Sequence, residues 1–61
     1  MTVTTTSGPV HVTREPDGMY RLERDHNGKT YAKRVGSVRG TLSRDALREF
    51  AARFVRELEG A

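Results

Sequence analysis

Apolar and polar residues alternate in three short stretches, and then the spacing changes to that of a helix. Val10-His11-Val12-Thr13 alternates as a half-buried strand does. Met19-Tyr20-Arg21-Leu22-Glu23-Arg24 and Lys29-Thr30-Tyr31-Ala32-Lys33-Arg34-Val35 repeat the pattern. Turn chemistry separates them. Pro16-Asp17-Gly18 places a φ-restricted residue, a turn former and a glycine in order, and Asn27-Gly28 is the pair a two-residue type I′ hairpin requires. From Leu42 onward, Ala46, Leu47, Phe50, Ala51, Phe54, Val55 and Leu58 recur at i, i+3, i+4 spacing, so one stripe of a helix is apolar. Ser43 suits the N-cap, Asp45 falls in the first turn, and Gly60 is placed to stop the helix.

The spacing predicts strands over 10–14, 19–25 and 29–35 and a helix over 43–59, with 10–60 forming one domain. Residues 1–9 end in Gly8-Pro9 and read as a flexible N-terminal tail, because proline breaks a ladder. A three-residue loop at 16–18 pairs Val12 with Leu22 and Val10 with Arg24. The Asn27-Gly28 turn pairs Tyr20 with Val35 and Leu22 with Lys33. Both registers put Val10, Val12, Tyr20, Leu22, Tyr31 and Val35 on one face, and a one-residue slip would scatter them. Arg24 and Lys33 join that face, their stems on apolar surface and their heads in water. The expected fold class is α+β: a three-stranded antiparallel β-meander packed on one C-terminal α-helix, in the order β-β-β-α. Tyr20, Leu22, Tyr31, Phe50, Phe54 and Leu58 make its core, which at this size supports about 3–5 kcal/mol of stability.

Composition removes several classes of function. The 61 residues contain no Cys and no Trp, which excludes disulfide scaffolds and thiolate metal sites. No apolar run exceeds three residues, so a membrane span is not expected, and no secretory signal is evident. A cytoplasmic protein of a bacterium or phage is the expectation. The net charge of +3 is unevenly placed. Lys29, Lys33, Arg34, Arg39 and Arg44 lie in a stretch without Asp or Glu, whereas the segments on either side are balanced. That stretch is suited to phosphate or another acidic surface.

Catalysis has few candidates. His11 and His26 are the only imidazoles, and the pairing of His11 with Glu23 gives two ligands on an open sheet, too few for a metal. No phosphate-loop spacing occurs among the glycines. The reading is therefore a non-enzymatic binding protein without a cofactor, a metal or a small-molecule substrate. If the helix covers one face of the sheet, the other presents His11, Thr13, Met19, Arg21, Glu23, Thr30, Ala32 and Arg34. Arg21 and Arg34 become cross-strand neighbours, an arrangement that an acidic partner would relieve. A β-ribbon can enter the major groove, with arginine reading base edges and lysines holding phosphates. The candidate nucleic-acid-binding residues are Arg21, Lys29, Thr30, Lys33, Arg34 and Arg39.

Gly18-Met19-Tyr20-Arg21, then Asn27-Gly28-Lys29-Thr30-Tyr31-Ala32-Lys33-Arg34, then Thr41 to Ala46 and Phe50 follow an order similar to that of a known family. Over residues 17–56 the chain resembles the N-terminal arm-binding domain of tyrosine recombinases and integrases, a three-stranded sheet with a C-terminal helix. The resemblance implies a free-standing DNA-binding domain whose exposed sheet reads DNA through Arg21, Thr30, Ala32 and Arg34. The linker at 36–40 is longer and richer in glycine than that family's, and Glu23 opposes phosphate. The alternative reading is a protein–protein interaction module. The plan is also similar to that of small bacterial dimerisation domains, and the strands Val10–Thr13 and Lys29–Val35 offer edges for a homodimer or for a host regulatory factor bound by a phage or mobile-element protein.

Overall fold

In a computed structural model of the protein, residues 1–36 and 40–60 are described. Four strands and one helix follow in order: β1 (Thr2–Thr5), β2 (Gly8–Arg14), β3 (Tyr20–His26), β4 (Lys29–Val35) and α1 (Arg44–Gly60). The strands form one antiparallel sheet in the order β1-β2-β3-β4, with the helix on one face. The α+β meander with a C-terminal helix matches expectation. The strand count does not, because residues assigned to a loose tail supply a fourth strand.

Both expected hairpin registers are present. Val12 faces Leu22 and His11 faces Glu23, while Tyr20 faces Val35, Leu22 faces Lys33 and Arg21 faces Arg34. Asn27 and Gly28 both have positive φ, 53° and 82°, as the type I′ turn requires. The first hairpin is closed by Glu15 N–H donating to Met19 O at 2.8 Å and Gly18 N–H to Glu15 O at 2.9 Å.

Backbone bonding explains why Pro9 is tolerated in an interior strand. Met1 N donates to Val12 O at 2.8 Å, and Val12 N–H donates to Met1 O at 2.7 Å. Bonded and non-bonded pairs alternate along an antiparallel ladder. Val3–Val10 and Thr5–Gly8 are thus bonded pairs, whereas Thr2–His11 and Thr4–Pro9 are not. Proline has no N–H to give and sits where β1 asks for none. Its missing donor falls on the β3 side, and there the ladder ends at His11–Glu23. Arg24 takes over: Nη1 donates to Pro9 O at 3.0 Å and Nη2 to Ser7 O at 2.6 Å. A Cβ on Gly8 (φ 122°) would stand 3.0 Å from Nη1, so this close approach favours glycine there. Arg24 is half-buried, and its head clamps the β1–β2 turn instead of projecting into water.

The core consists of Val3, Val10, Val12, Tyr20, Leu22 and Val35 from the sheet and Leu47, Ala51, Phe54 and Val55 from the helix. Ser43 caps the helix as expected, accepting from Ala46 N–H at 3.1 Å, and its carbonyl accepts from Leu47 N–H at 3.0 Å. Gly60 is the last helical residue and not the stop beyond it. Tyr20 ties the sheet to the chain entering the helix. Its hydroxyl accepts from Leu42 N–H at 3.4 Å, and the Arg14 guanidinium lies over its ring at 5.3 Å.

Three core assignments are corrected, Leu58 being, like Phe50, only half-buried against the core. Tyr31 is 39% exposed and Phe50 only half-buried. Each lies on the expected side of its element, but the helix packs most closely along β1 and then β3, so the β4 margin of the same face stays open. Truncation separates this arrangement from a three-stranded core. Val3→Ala should cost about 1.5–2 kcal/mol, and Leu22→Ala about 2–5 kcal/mol, read from urea midpoints. If residues 1–9 were an unstructured tail, Val3→Ala would leave the midpoint unchanged.

Candidate functional site

The face away from the helix carries Thr2, Thr4, His11, Thr13, Arg21, Glu23, Asp25, Thr30, Ala32 and Arg34, since side chains alternate along each paired strand. Arg21 and Arg34 are cross-strand neighbours on it, as the register requires. Their charges are already answered. Arg21 Nε lies 3.3 Å from Glu23 Oε1. Arg34 donates to Glu15 Oε1 at 2.6 Å and also pairs with Asp17 Oδ2. These carboxylates come from the β2–β3 turn, which the β3–β4 pairing brings beside the end of β4. Thr30 Oγ1 donates to Asp25 Oδ1 at 2.6 Å.

The remaining candidates are dispersed. Lys29 and Lys33 alternate with Thr30 and Arg34, so they point to the helix side of the sheet. Lys33 Nζ bonds Glu57 Oε1 at 2.6 Å and links β4 to the C-terminal half of the helix. Lys29 is exposed beside the hairpin turn. Arg39 lies outside the described residues. Met19, expected on the open face, is half-buried, with its sulfur against Gly36, where an added Cβ would force the methionine side chain to move.

Where the β2–β3 ladder stops, a shallow depression opens, lined by Thr2, Pro9, His11, Glu23, Arg24, Asp25 and Thr30. Among the described residues no three His, Cys, Asp or Glu side chains are grouped to hold a metal ion. No helix among them is long and apolar enough to cross a membrane.

The two margins of the sheet are the other accessible features. Because Val12 bonds toward β1, His11 bonds toward β3, and the alternation carries through to β4. Lys29, Tyr31, Lys33 and Val35 bond to β3. Thr30, Ala32 and Arg34 therefore turn their N–H and C=O groups outward. At the opposite margin Thr2 and Thr4 do the same. The six residues from Lys29 to Arg34 are all exposed. Tyr31 is packed edge-on against His26, with ring centres 6.2 Å apart and planes at 68°. The sequence offered Val10–Thr13 and Lys29–Val35 as the edges; Lys29–Val35 is one, but β1 pairs along β2, so Val10–Thr13 is interior and Thr2–Thr5 forms the other margin. Which backbone groups face outward depends on the bonding phase of the whole sheet.

The carboxyl of Asp17 is held below the ordinary aspartate range, first by the Met19 N–H bonded to its Oδ1 at 3.0 Å and then by Arg34. The guanidinium of Arg34 is correspondingly raised by Asp17 and Glu15. A depressed carboxylate adds stability above its unfolded pKa and loses it as pH falls through the folded one. Asp17→Asn keeps the acceptor for Met19 and removes the charge. It should lower the urea midpoint near neutrality, and the gap to the parent should close below about pH 4. A gap independent of pH would show that the charge does not contribute.

In comparisons with known proteins, no family model, no curated protein and no solved structure matches this chain.

Proposed function

We propose that the protein is a non-enzymatic interaction module that assembles by strand pairing along β4. The observation that carries this reading is the free margin of β4: six exposed residues in succession, with the backbone groups of Thr30, Ala32 and Arg34 directed outward. Such a margin is a template for another strand. Proline, a bulge or a covering helix would blunt it, and β4 has none of these; its charged residues Lys29, Lys33 and Arg34 are the only such device it carries.

The margin is also complementary to itself. An antiparallel pair related by a two-fold axis at Ala32 places Ala32 opposite its copy, Thr30 opposite Arg34, Tyr31 opposite Lys33 and Lys29 opposite Val35. No two like charges stand directly opposed, which like-charged pairs would penalise. Lys33 stands opposite Tyr31 of the other copy, where its stem can cover that ring while Nζ keeps Glu57. On the helix side, the uncovered Tyr31 of each copy borders the seam, so pairing hides apolar surface that one helix leaves open. The interface is isologous and closes as a dimer.

A duplex has less to hold on the open face. Arg21 and Arg34 stand among Glu15, Asp17, Glu23 and Asp25, and phosphate would have to displace carboxylates already within ion-pair distance. For DNA to be the partner through this face, as the integrase resemblance implies, those pairs must open.

Sedimentation equilibrium across a wide concentration range tests the assembly. A monomer–dimer equilibrium is expected, and Ala32→Pro should abolish it while leaving far-UV circular dichroism unchanged, since the lost N–H points away from β3. Tyr31→Lys, which sets like charges opposite each other, should weaken the dimer without altering the fold. A monomer at every concentration up to about 1 mM, a range in which weak association registers, would overturn the proposal. Strong salt-dependent binding of a short duplex that Arg21→Ala and Arg34→Ala abolish would establish DNA instead.

A further inference from the structure

The margin at β1 differs from that at β4 in length, chemistry and surroundings. The helix runs beside β1 in the same direction. Arg44 and Arg48 line a groove with Met1, Thr2, Val3 and Thr4, and a second depression lies further along, where Ala52, Val55, Arg56 and Glu59 flank Thr5, Thr6 and Ser7. The stretch beside Thr2–Thr4 has two arginines and no carboxylate in its walls. Arg44, Arg48 and Arg56 are exposed, and among the described residues none of the three makes an ion pair. At the far end Glu59 accepts from Ser7 Oγ at 3.4 Å.

We infer that this groove binds an extended acidic peptide segment, which adds to the free edge of β1 as a fifth strand and directs alternate carboxylates at Arg44 and Arg48. Two independent features agree on that ligand. The first is the backbone. Thr2 and Thr4 each present one N–H and one C=O, and an extended polypeptide satisfies both kinds of group. A phosphate chain offers acceptors only and would leave both carbonyls unpaired. The second is spacing. Residues four apart on a helix rise about 6 Å. Alternate residues of a strand are about 6.6–6.8 Å apart. Arg44 and Arg48 therefore keep step with carboxylates at every second position, and guanidinium–carboxylate pairs are the stronger charge-assisted kind.

The probe is an acetylated octapeptide alternating glutamate and threonine, titrated into the full chain and followed by amide shifts and by fluorescence anisotropy. The largest shifts should fall on Thr2 and Thr4. The joint replacement Arg44→Ala with Arg48→Ala should weaken binding by about tenfold or more, and Arg48→Glu should do so alone. Both side chains are exposed, and unchanged circular dichroism will show that the fold is kept. Binding should also weaken as salt is raised. The Ala32→Pro variant should bind the peptide as the parent does, which separates this site from assembly at β4. The proposal is overturned if the same peptide with lysine for glutamate binds equally well, or if the shifts fall on Thr30–Arg34. It is also overturned if a duplex of about twelve base pairs displaces the peptide and binds more tightly at moderate salt.

Discussion

One helix cannot cover four strands, and the layout of the molecule follows from that mismatch. Neighbouring strands lie about 4.8 Å apart, so four of them span roughly 14 Å between outer backbones. A helix with its side chains is about 10–12 Å across. The helix must therefore favour one side of the sheet, and here it lies along β1 and β3. Val3, Leu47, Ala51, Phe54 and Val55 are buried as a result. Tyr31 and Phe50 lose the cover that a narrower sheet would have given them. The same displacement leaves β4 exposed from Lys29 to Arg34, with Val35 alone of that strand reaching the core.

The second constraint is the bonding phase of the sheet, set at one end by Met1 and Val12 and compatible with Pro9 in only one way. Had Thr4–Pro9 been a bonded pair, β1 would have met a missing donor in mid-ladder. With Thr4–Pro9 unbonded, the gap is shifted to the β3 side, where the ladder stops and Arg24 supplies side-chain donors to Pro9 and Ser7. Everything downstream inherits that phase. It decides that Thr2 and Thr4 face out at one margin and Thr30, Ala32 and Arg34 at the other. A proline near the start of β2 thus bears on which backbone groups are presented at β4, two strands away.

Much of this was legible from residue types, and the failures have identifiable causes. The two hairpin registers followed from alternation together with Pro16-Asp17-Gly18 and Asn27-Gly28, because turn geometry and a one-sided apolar face constrain the same variable. The Ser43 cap was equally local. β1 was missed because Thr2-Val3-Thr4-Thr5 contains a single apolar side chain, and because Pro9 argues against a strand until its partner on each side is known. Tyr31 and Phe50 were assigned to the right faces but to the wrong depth. Periodicity gives the direction of a side chain and says nothing about how far along a sheet the helix has settled. The partners of Arg34 could have been found by extending the register. Arg34 pairs with Arg21 and Arg21 with Thr13, so this row lies close to the turn that carries Glu15 and Asp17.

The electrostatics of the open face illustrate why a count of basic residues along the chain is a weak guide to a binding surface. The stretch from Lys29 to Arg44 has no acid within it, yet folding disperses its charges. Lys33 goes to Glu57, Arg34 goes to the turn carboxylates, and Arg44 goes to the groove beside β1. Meanwhile Arg48, from a balanced part of the sequence, lines that same groove with Arg44 because the two lie one helical turn apart beside β1. Local charge in the fold depends on which elements become neighbours. In this chain those neighbours bring carboxylates to the broad open face and leave arginines unpaired at a narrow margin, so an acidic ligand is better accommodated along the edge of the sheet than across it.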